Sequence, residues 1–342
     1  MTRRGSARVT AVVLAWGAEP YLDAAVRSLL ESRDVDLDVV LVDNGCTDGA
    51  AERLKHVPGV THVDAGSNTG FAGGCNLGAR HATGEFLAFV NSDAVVRPDA
   101  LRCLVEVAED PAVAFASASL RLADRPEVMN SAGNPVHYSG LSWAGGFGEN
   151  ADRHRHPRDI PSVTGAAFAV RREVFDSLGG FNELMFAYCE DAELSLRAWQ
   201  RGWRCVYVPE AVVLHHYEFS RNNEKFYLLE RNRLMLVLTL FESRTLLLLA
   251  PALLGLELAT LAVAARQGWA RQKVRGWVWL LRHRHEVRAR RRAVQEDRSV
   301  GDRSVAPLLT GDFAPGEGTG VPAPGVLRSA SRAYWAVVRR AL

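Results

Sequence analysis

An α/β fold with a doubly wound, mostly parallel sheet is predicted by three observations on this 342-residue chain. Over the first 120 residues, short β-branched runs alternate with longer helical patterns at the spacing of βαβ units. The runs are apolar almost throughout, as strands covered by helices on both faces must be. Each run also ends in a polar cluster, and ligands of such sheets bind beyond the carboxyl ends of the strands.

The elements follow in order. VTAVVLA (9–15) reads as the first buried strand and PYLDAAVRSLLES (20–32) as a helix opened by Pro20. LDVVLVD (37–43), VTHVDA (60–65), FLAFVN (86–91) and AVAFASASL (112–120) read as strands two to five. Residues 121–162 are polar, irregular and rich in Gly and aromatics, which reads as a long excursion over a site. SVTGAAFAV (162–170) returns to strand, and EVFDSLG to a helix closed by Gly179 and Gly180. EDAELSLRAWQRG (190–202) is a helix stopped by Gly202, and WRCVYVPEAVVLHHY (203–217) is extended. Three parts are expected: a catalytic domain over 1–230, an apolar then Arg/Trp-rich helical region over 231–297, and a mobile Pro/Gly-rich tail with a short terminal helix over 298–342.

Composition narrows the function. A net charge of +2 supplies no global field for non-specific nucleic-acid binding. Five scattered cysteines without a CxxC pair argue against a disulfide framework or a structural zinc site, and a reducing compartment fits better. Residues 1–8 are basic but lead into an apolar run only one strand long, so no signal peptide is expected.

Four clusters have the residue types for chemistry. Asp43-Asn44-Gly45-Cys46-Thr47-Asp48 places a carboxylate that can accept from the imide N–H of a base, or cap an ordinary turn. In the segment from Asn68 to Gly78 the glycines permit close approach of backbone to a ligand, but they do not spell GxGxxG, which counts against a nicotinamide cofactor. Asn91-Ser92-Asp93 leaves a buried strand with a hard oxygen ligand suited to Mg²⁺ or Mn²⁺. Glu190 and Asp191 open a helix behind aromatic residues, and a partly enclosed carboxylate there suits a general base. His215 and His216 end a strand and point to opposite faces, so at most one serves a given site.

In this order the segments VTAVVLAWG, DNGCTD, NTGFAGGCNLG, NSDA, GGFNELMFAYCEDAELSLR and HHYEFS resemble the family-2 inverting glycosyltransferases of GT-A fold, over roughly two thirds of the chain. HHYEFSRNNEKFYLLERNRL is similar to rhamnosyltransferase-like bacterial members that build cell-surface polysaccharides. The resemblance implies a Rossmann-like GT-A domain and transfer from a nucleotide-diphosphate sugar, dTDP-rhamnose or a UDP-sugar, to a hydroxyl of a cell-surface glycan or lipid-linked acceptor. It implies that Asp43 binds the base, that Asn68 and Gly70 line the nucleotide-sugar site with Ala15, Trp16, Asn91 and Ser92, and that Asp93 binds the divalent metal. Asp191 matches the catalytic base with Glu190 beside it. His215 matches the histidine that completes the metal shell, with His216 as the alternative. Ala15-Trp16-Gly17 stands where relatives have Thr-Tyr-Asn, which passes base stacking to Trp16. Cys46 replaces the customary Ser, and Asn91 replaces the first Asp of a DxD pair, removing one charge from the metal site.

Thr245–Ala265 is apolar over 21 residues but contains Pro251, Gly255 and Glu257. Arginines flank it on both sides, so both flanks are expected to be cytoplasmic. The expectation is a peripheral or re-entrant element on the cytoplasmic face of the cell membrane, a helical hairpin broken near Pro251, followed by a basic Trp-rich helix on anionic headgroups. Residues 266–292 carry ten Lys and Arg against one Glu, a net of +9 that leaves −7 on the rest of the chain. The alternatives are core helices of a soluble subdomain for the apolar stretch, and for the whole chain a catalytically silent sugar- or nucleotide-binding membrane scaffold, or a nucleotidyltransferase or dehydrogenase on a similar sheet.

Overall fold

The computed structural model describes residues 6–217, 223–313 and 325–342. Its strands are β1 (Ala7–Gly17), β2 (Val35–Cys46), β3 (Val60–Asp64), β4 (Phe86–Val90), β5 (Ala94–Val96), β6 (Val113–Leu122), β7 (Met129–Ser131), β8 (Arg158–Asp159), β9 (Ala167–Arg171) and β10 (Arg204–His215). Six helices belong to this half: α1 (Leu22–Leu30), α2 (Ala50–Leu54), α3 (Gly70–His81), α4 (Ala100–Ala108), α5 (Arg172–Ser177) and α6 (Glu190–Gln200). Six more follow: α7 (Asn223–Leu240), α8 (Ser243–Gln267), α9 (Ala270–Arg282), α10 (Arg284–Asp297), α11 (Asp302–Val305) and α12 (Gly325–Ala341).

The sheet order is β3-β2-β1-β4-β9-β6-β10-β5. β3, β2, β1 and β4 are mutually parallel, as are β6 and β10. The sheet is mixed, however, because β9 lies antiparallel between β4 and β6. The fold is α/β with a mixed, mostly parallel sheet. Side chains alternate across it as the strand period requires. Val9, Ala11 and Val13 face the layer of α1, α2 and α4, whereas Val12, Phe89, Phe115 and Phe168 face α3, α5 and α6.

The glycines of α3 have a different use from the expected one. A Cβ at Gly74 would lie 2.2 Å from Leu14, and one at Gly78 would lie 2.4 Å from Val12. They let α3 press against β1 rather than admit a ligand. All five cysteines are free.

Helices α7 to α12 form a third core with Val136, Tyr138, Met185, Ala192 and Leu196 of the sheet domain. The expected break near Pro251 is not present. α8 is continuous over 25 residues, since a proline removes one backbone hydrogen bond and the rest of the helix keeps its own. It is the one helix among the described residues long and apolar enough to cross a membrane, with mean hydropathy 2.2 and almost none of its length buried. Leu247, Leu254 and Leu258 point outward at helical spacing, 75%, 63% and 59% exposed. Glu257 is turned inward, where it pairs with Arg233 and, at 3.0 Å, with Lys273.

The expected Trp-lined headgroup surface is also corrected. Trp277 donates to Glu257 at 2.8 Å, Trp279 lies under the Arg231 guanidinium, and Trp269 stacks on Phe226. The exposed apolar residues of α9 are instead Val274, Val278 and Leu281. Residues 298–313, expected to be mobile, are packed: Gln200 accepts from the backbone of Ser299 and Val300, and buried Asp302 pairs with Arg298 at 2.6 Å. Residues 314–324 of the expected tail lie outside the described residues, as do Glu218, Phe219 and Ser220 of the HHYEFS segment.

Candidate active site

The carboxyl ends of β1, β2, β4 and β10 carry most of the expected residues to one edge. Ala15 is buried at the end of β1, and Trp16 beside it is 60% exposed. Trp16 N–H donates to Glu19 at 2.9 Å, and Glu19 N–H donates to Asp48 at 3.0 Å. This places an uncovered indole against the turn that follows β2. Asp43 uses Oδ1 to accept from the N–H groups of Gly45 and Cys46, a turn that leaves Oδ2 without a backbone donor and 3.9 Å from His62. A carboxylate so oriented can accept from a base while closing its own turn.

Buried Asn44 ties this turn to the next. It accepts from Thr69 N–H at 2.9 Å and donates to Asn68 at 3.1 Å. Asn68 is exposed and accepts from Gly70 N–H. Gly70 itself is closed off. Its φ of +74° is one that L side chains rarely adopt, and an added Cβ would meet the Phe186 carbonyl at 2.4 Å. Gly70 therefore seats the loop before α6 instead of lining open space.

Asn91, Ser92 and Asp93 are half-buried after β4, with Asn91 N–H on the Ala166 carbonyl. Asp93 Oδ1 meets His215 Nε2 at 3.0 Å, and His215 Nδ1 meets Asn130 Oδ1 at 2.9 Å. His215 thus has Nδ1 against the Asn130 oxygen and Nε2 against the Asp93 carboxylate, and a divalent cation would take the place of the Nε2 proton between imidazole and carboxylate. His216 turns away and stacks on Tyr21 at 3.8 Å. The Asp93–His215 donor set fits Mg²⁺ or Mn²⁺ completed by ligand oxygens; among the described residues no group of three or more His, Cys, Asp or Glu is placed to hold an ion without them.

The acidic pair at the start of α6 divides into two environments. Asp191 is half-buried and held by three donors: Ala192 N–H at 2.8 Å, Gly165 N–H at 3.1 Å and Asn134 Nδ2 at 3.4 Å. Burial raises its carboxyl above the usual aspartate value, and those donors oppose the rise. Glu190 is buried, its Oε2 has no hydrogen-bond partner, and burial together with the charge of Asp191 pushes it well above the usual range. Environments that separate two carboxyls in this way assign them different roles. The loop ahead of them is strained, with Phe186, Tyr188 and Cys189 at φ of 64°, 71° and 68°. Such conformations cost about 1–3 kcal/mol each and gather at functional sites.

Asn130 and Asn134 lie on one segment of the 121–162 excursion, so the same stretch orients both His215 and Asp191. No local sequence pattern marks either asparagine, although the excursion that carries them is legible. Glu19, also missed, is raised by burial and by the nearby charges of Asp93 and Asp48.

A protein of Mycobacterium tuberculosis, N-acetylglucosaminyl-diphospho-decaprenol L-rhamnosyltransferase, is 26% identical over 237 residues, covering 62% of this chain and 77% of its own. The O-antigen biosynthesis protein RfbC of Myxococcus xanthus is 31% identical over 230 residues, 64% of this chain and 18% of its own. Among solved structures, the mannosyltransferase PcManGT of Pyrobaculum calidifontis, in complex with GDP-Man and Mn²⁺, superposes with a TM-score of 0.52 at 22% identity, covering 84% of this chain and 86% of that one. GalNAc-T7 with UDP, GalNAc and Mn²⁺ gives 0.57 at 18%, covering 69% of this chain and 48% of that one. The family model described as glycosyltransferase like family 2 matches residues 7–235, from the first strand into α7, and the chain belongs to that family.

Proposed function

We propose that this glycosyltransferase moves a sugar, with inversion, from dTDP-rhamnose or a UDP-sugar to a hydroxyl of a cell-surface glycan or a lipid-linked acceptor. The observation that carries the reading is the Asp191 carboxylate, fixed by three donors at the sheet edge and tethered through one segment to the Asp93–His215 pair. In this reading Trp16 stacks on the base, Asp43 accepts its imide N–H, and Asn68, Asn91 and Ser92 border the sugar diphosphate. Asp191 orients the acceptor hydroxyl and takes its proton as the oxygen attacks the anomeric carbon from the face opposite the leaving group. Glu190 lies beside it in a more buried setting, where burial and the charge of Asp191 disfavour its ionised form. Asp93 and His215 would hold Mg²⁺ or Mn²⁺, which when bound offsets the charge growing on the departing diphosphate.

The relative from Mycobacterium is named for a lipid-linked substrate, and the exposed leucines of α8 beside the exposed arginines of α9 and α10 support docking on an anionic bilayer. We place the protein peripherally on the cytoplasmic face. The division into 1–230, 231–297 and 298–342 is then functional rather than architectural, since α7 runs unbroken through residue 230.

The test is a panel of nucleotide sugars assayed with and without chelator, using the full chain and a lipid-linked acceptor extract, with the product anomer read by NMR. Turnover with one donor, restored by Mg²⁺ or Mn²⁺ and giving inversion, is expected; nucleotide binding without turnover on any donor would favour a silent scaffold. Fractionation tests the location: the protein is expected to sediment with membranes at low salt, release by high salt alone would exclude deep insertion, and recovery in the soluble fraction at low salt would remove the docking reading. Asn130→Ala should raise the half-saturating metal concentration about 10–100-fold, the usual cost of losing the group that orients a ligating histidine. An unchanged metal titration would show that His215 is not a ligand.

A further inference from the structure

The strained loop before Asp191 is held from one side by two adjacent residues of α7. Asn232 Nδ2 donates to the carbonyls of Met185, Ala187 and Tyr188 at 2.8, 2.8 and 2.7 Å. Arg231 Nη2 donates to Leu184 and Met185 at 3.0 and 2.7 Å, and its Nε donates to Asn232 Oδ1 at 2.9 Å, fixing which way that amide faces. Both side chains are buried, and the Arg231 guanidinium lies 4.5 Å above the ring of Trp279. From the other side the Phe186 carbonyl accepts Ala72 N–H, and Gly70 abuts the Phe186 ring. Four carbonyls of a loop with three left-handed residues are thus satisfied by two side chains, and the next turn of chain is the one that carries Asp191.

We infer that Arg231 and Asn232 are positioning residues for the base. They hold residues 184–189 in the one conformation that presents the start of α6 to the sheet edge, where Gly165 and Asn134 receive the Asp191 carboxylate. Without them the carbonyls of Leu184, Ala187 and Tyr188 lose these donors and Met185 keeps only Ala187 N–H, and the loop relaxes out of its left-handed conformations to find others. The donor-site residues Trp16 and Asp43 stand on β1 and β2 and Asn91 just past β4, and neither α7 side chain bonds them. A catalytic group displaced by about 1 Å costs on the order of 10²-fold in rate, so the effect is expected in kcat.

This inference rests on Asp191 being the base, and the experiment separates the two. Asn232→Ala and Arg231→Gln are each compared with wild type for kcat and donor KM, alone and in an Asp191→Asn background. Each is expected to lower kcat about 10–100-fold and to keep donor KM within about twofold. Added to Asp191→Asn, each should lower the residual rate by no more than about threefold, because the base they position is already gone. Amide exchange in 184–191 should rise while the melting transition stays cooperative. An unchanged kcat, a loss carried by KM, or the full loss repeated in the Asp191→Asn background would overturn the inference. So would failure of both variants to fold, which would assign the pair to stability alone. Asp191→Asn with wild-type turnover would instead remove the base assignment, whatever the two α7 variants did.

Discussion

Asp191→Asn is expected to lower sugar transfer by about 10²–10⁴-fold, the range for losing a positioned general base, equivalent to about 3–5 kcal/mol of transition-state stabilisation. Nucleotide-sugar affinity should stay near wild type, because Asp43, Asn68 and Trp16 stand on β2, on the turn before α3 and on β1, and none of them bonds Asp191. The amide keeps an oxygen to accept from Gly165 and Asn134, so the fold should persist, and a thermal melt checks it. Glu190→Gln is the contrasting case. Burial and the charge of Asp191 disfavour the ionised form of Glu190, so a neutral isostere should cost much less than the change at Asp191. The pH profile supplies an independent sign. A base works only when deprotonated, and burial raises Asp191 above 3.8, so kcat should fall on acidification with a limb above that value. The limb should vanish in Asp191→Asn. Initial rates, calorimetric donor binding and the wild-type pH profile together decide it; wild-type turnover by the variant would refute the assignment.

The parts of this site that the sequence announces are those that sit where an apolar run stops. Asp43, Asp93 and Asp191 each follow a strand or open a helix at the sheet's carboxyl edge, and the strand period places them without knowledge of their partners. What stays hidden depends on pairing across the chain. Asn130 bonds a residue 85 positions away and Asn134 one 57 positions away, and no local pattern distinguishes them from other loop asparagines. The choice between His215 and His216 needed the same long-range fact, namely which ring meets Asn130 and which meets Tyr21. β9 reads as a strand, but apolar periodicity carries no direction, so its antiparallel insertion was not legible. The tryptophans of α9 misled for a related reason. Composition gave an interfacial belt, whereas Glu257, Arg231 and Phe226 draw the rings inward.

Arg233→Met should destabilise the folded protein by about 3–5 kcal/mol, the cost of breaking a buried ion pair from one side. Arg233 is 1% exposed and lies between Glu230, at 3.0 Å, and Glu257, while Lys273 meets both carboxylates. Two cations and two anions balance there, and removing one cation leaves buried Glu230 and half-buried Glu257 to share one ammonium. The Arg233 guanidinium also donates to the Ser139 carbonyl, so the same change unties α7 from the loop of the sheet domain. Most of the loss is the stranded charge rather than the worth of the pair, and a second substitution separates the two. Glu257→Leu added to Arg233→Met restores the balance and should recover part of the stability, a coupling that independent sites would not show. Glu257 is the one acidic residue within the apolar helix α8, so its pairing also decides whether that helix presents an uncharged face. Denaturant unfolding of the detergent-solubilised full chain measures Arg233→Met, Glu257→Leu and the double variant. A loss under about 1 kcal/mol for Arg233→Met, the size expected of an exposed pair, would mean that water reaches the cluster and that α8 and α9 are not locked to α7 through it.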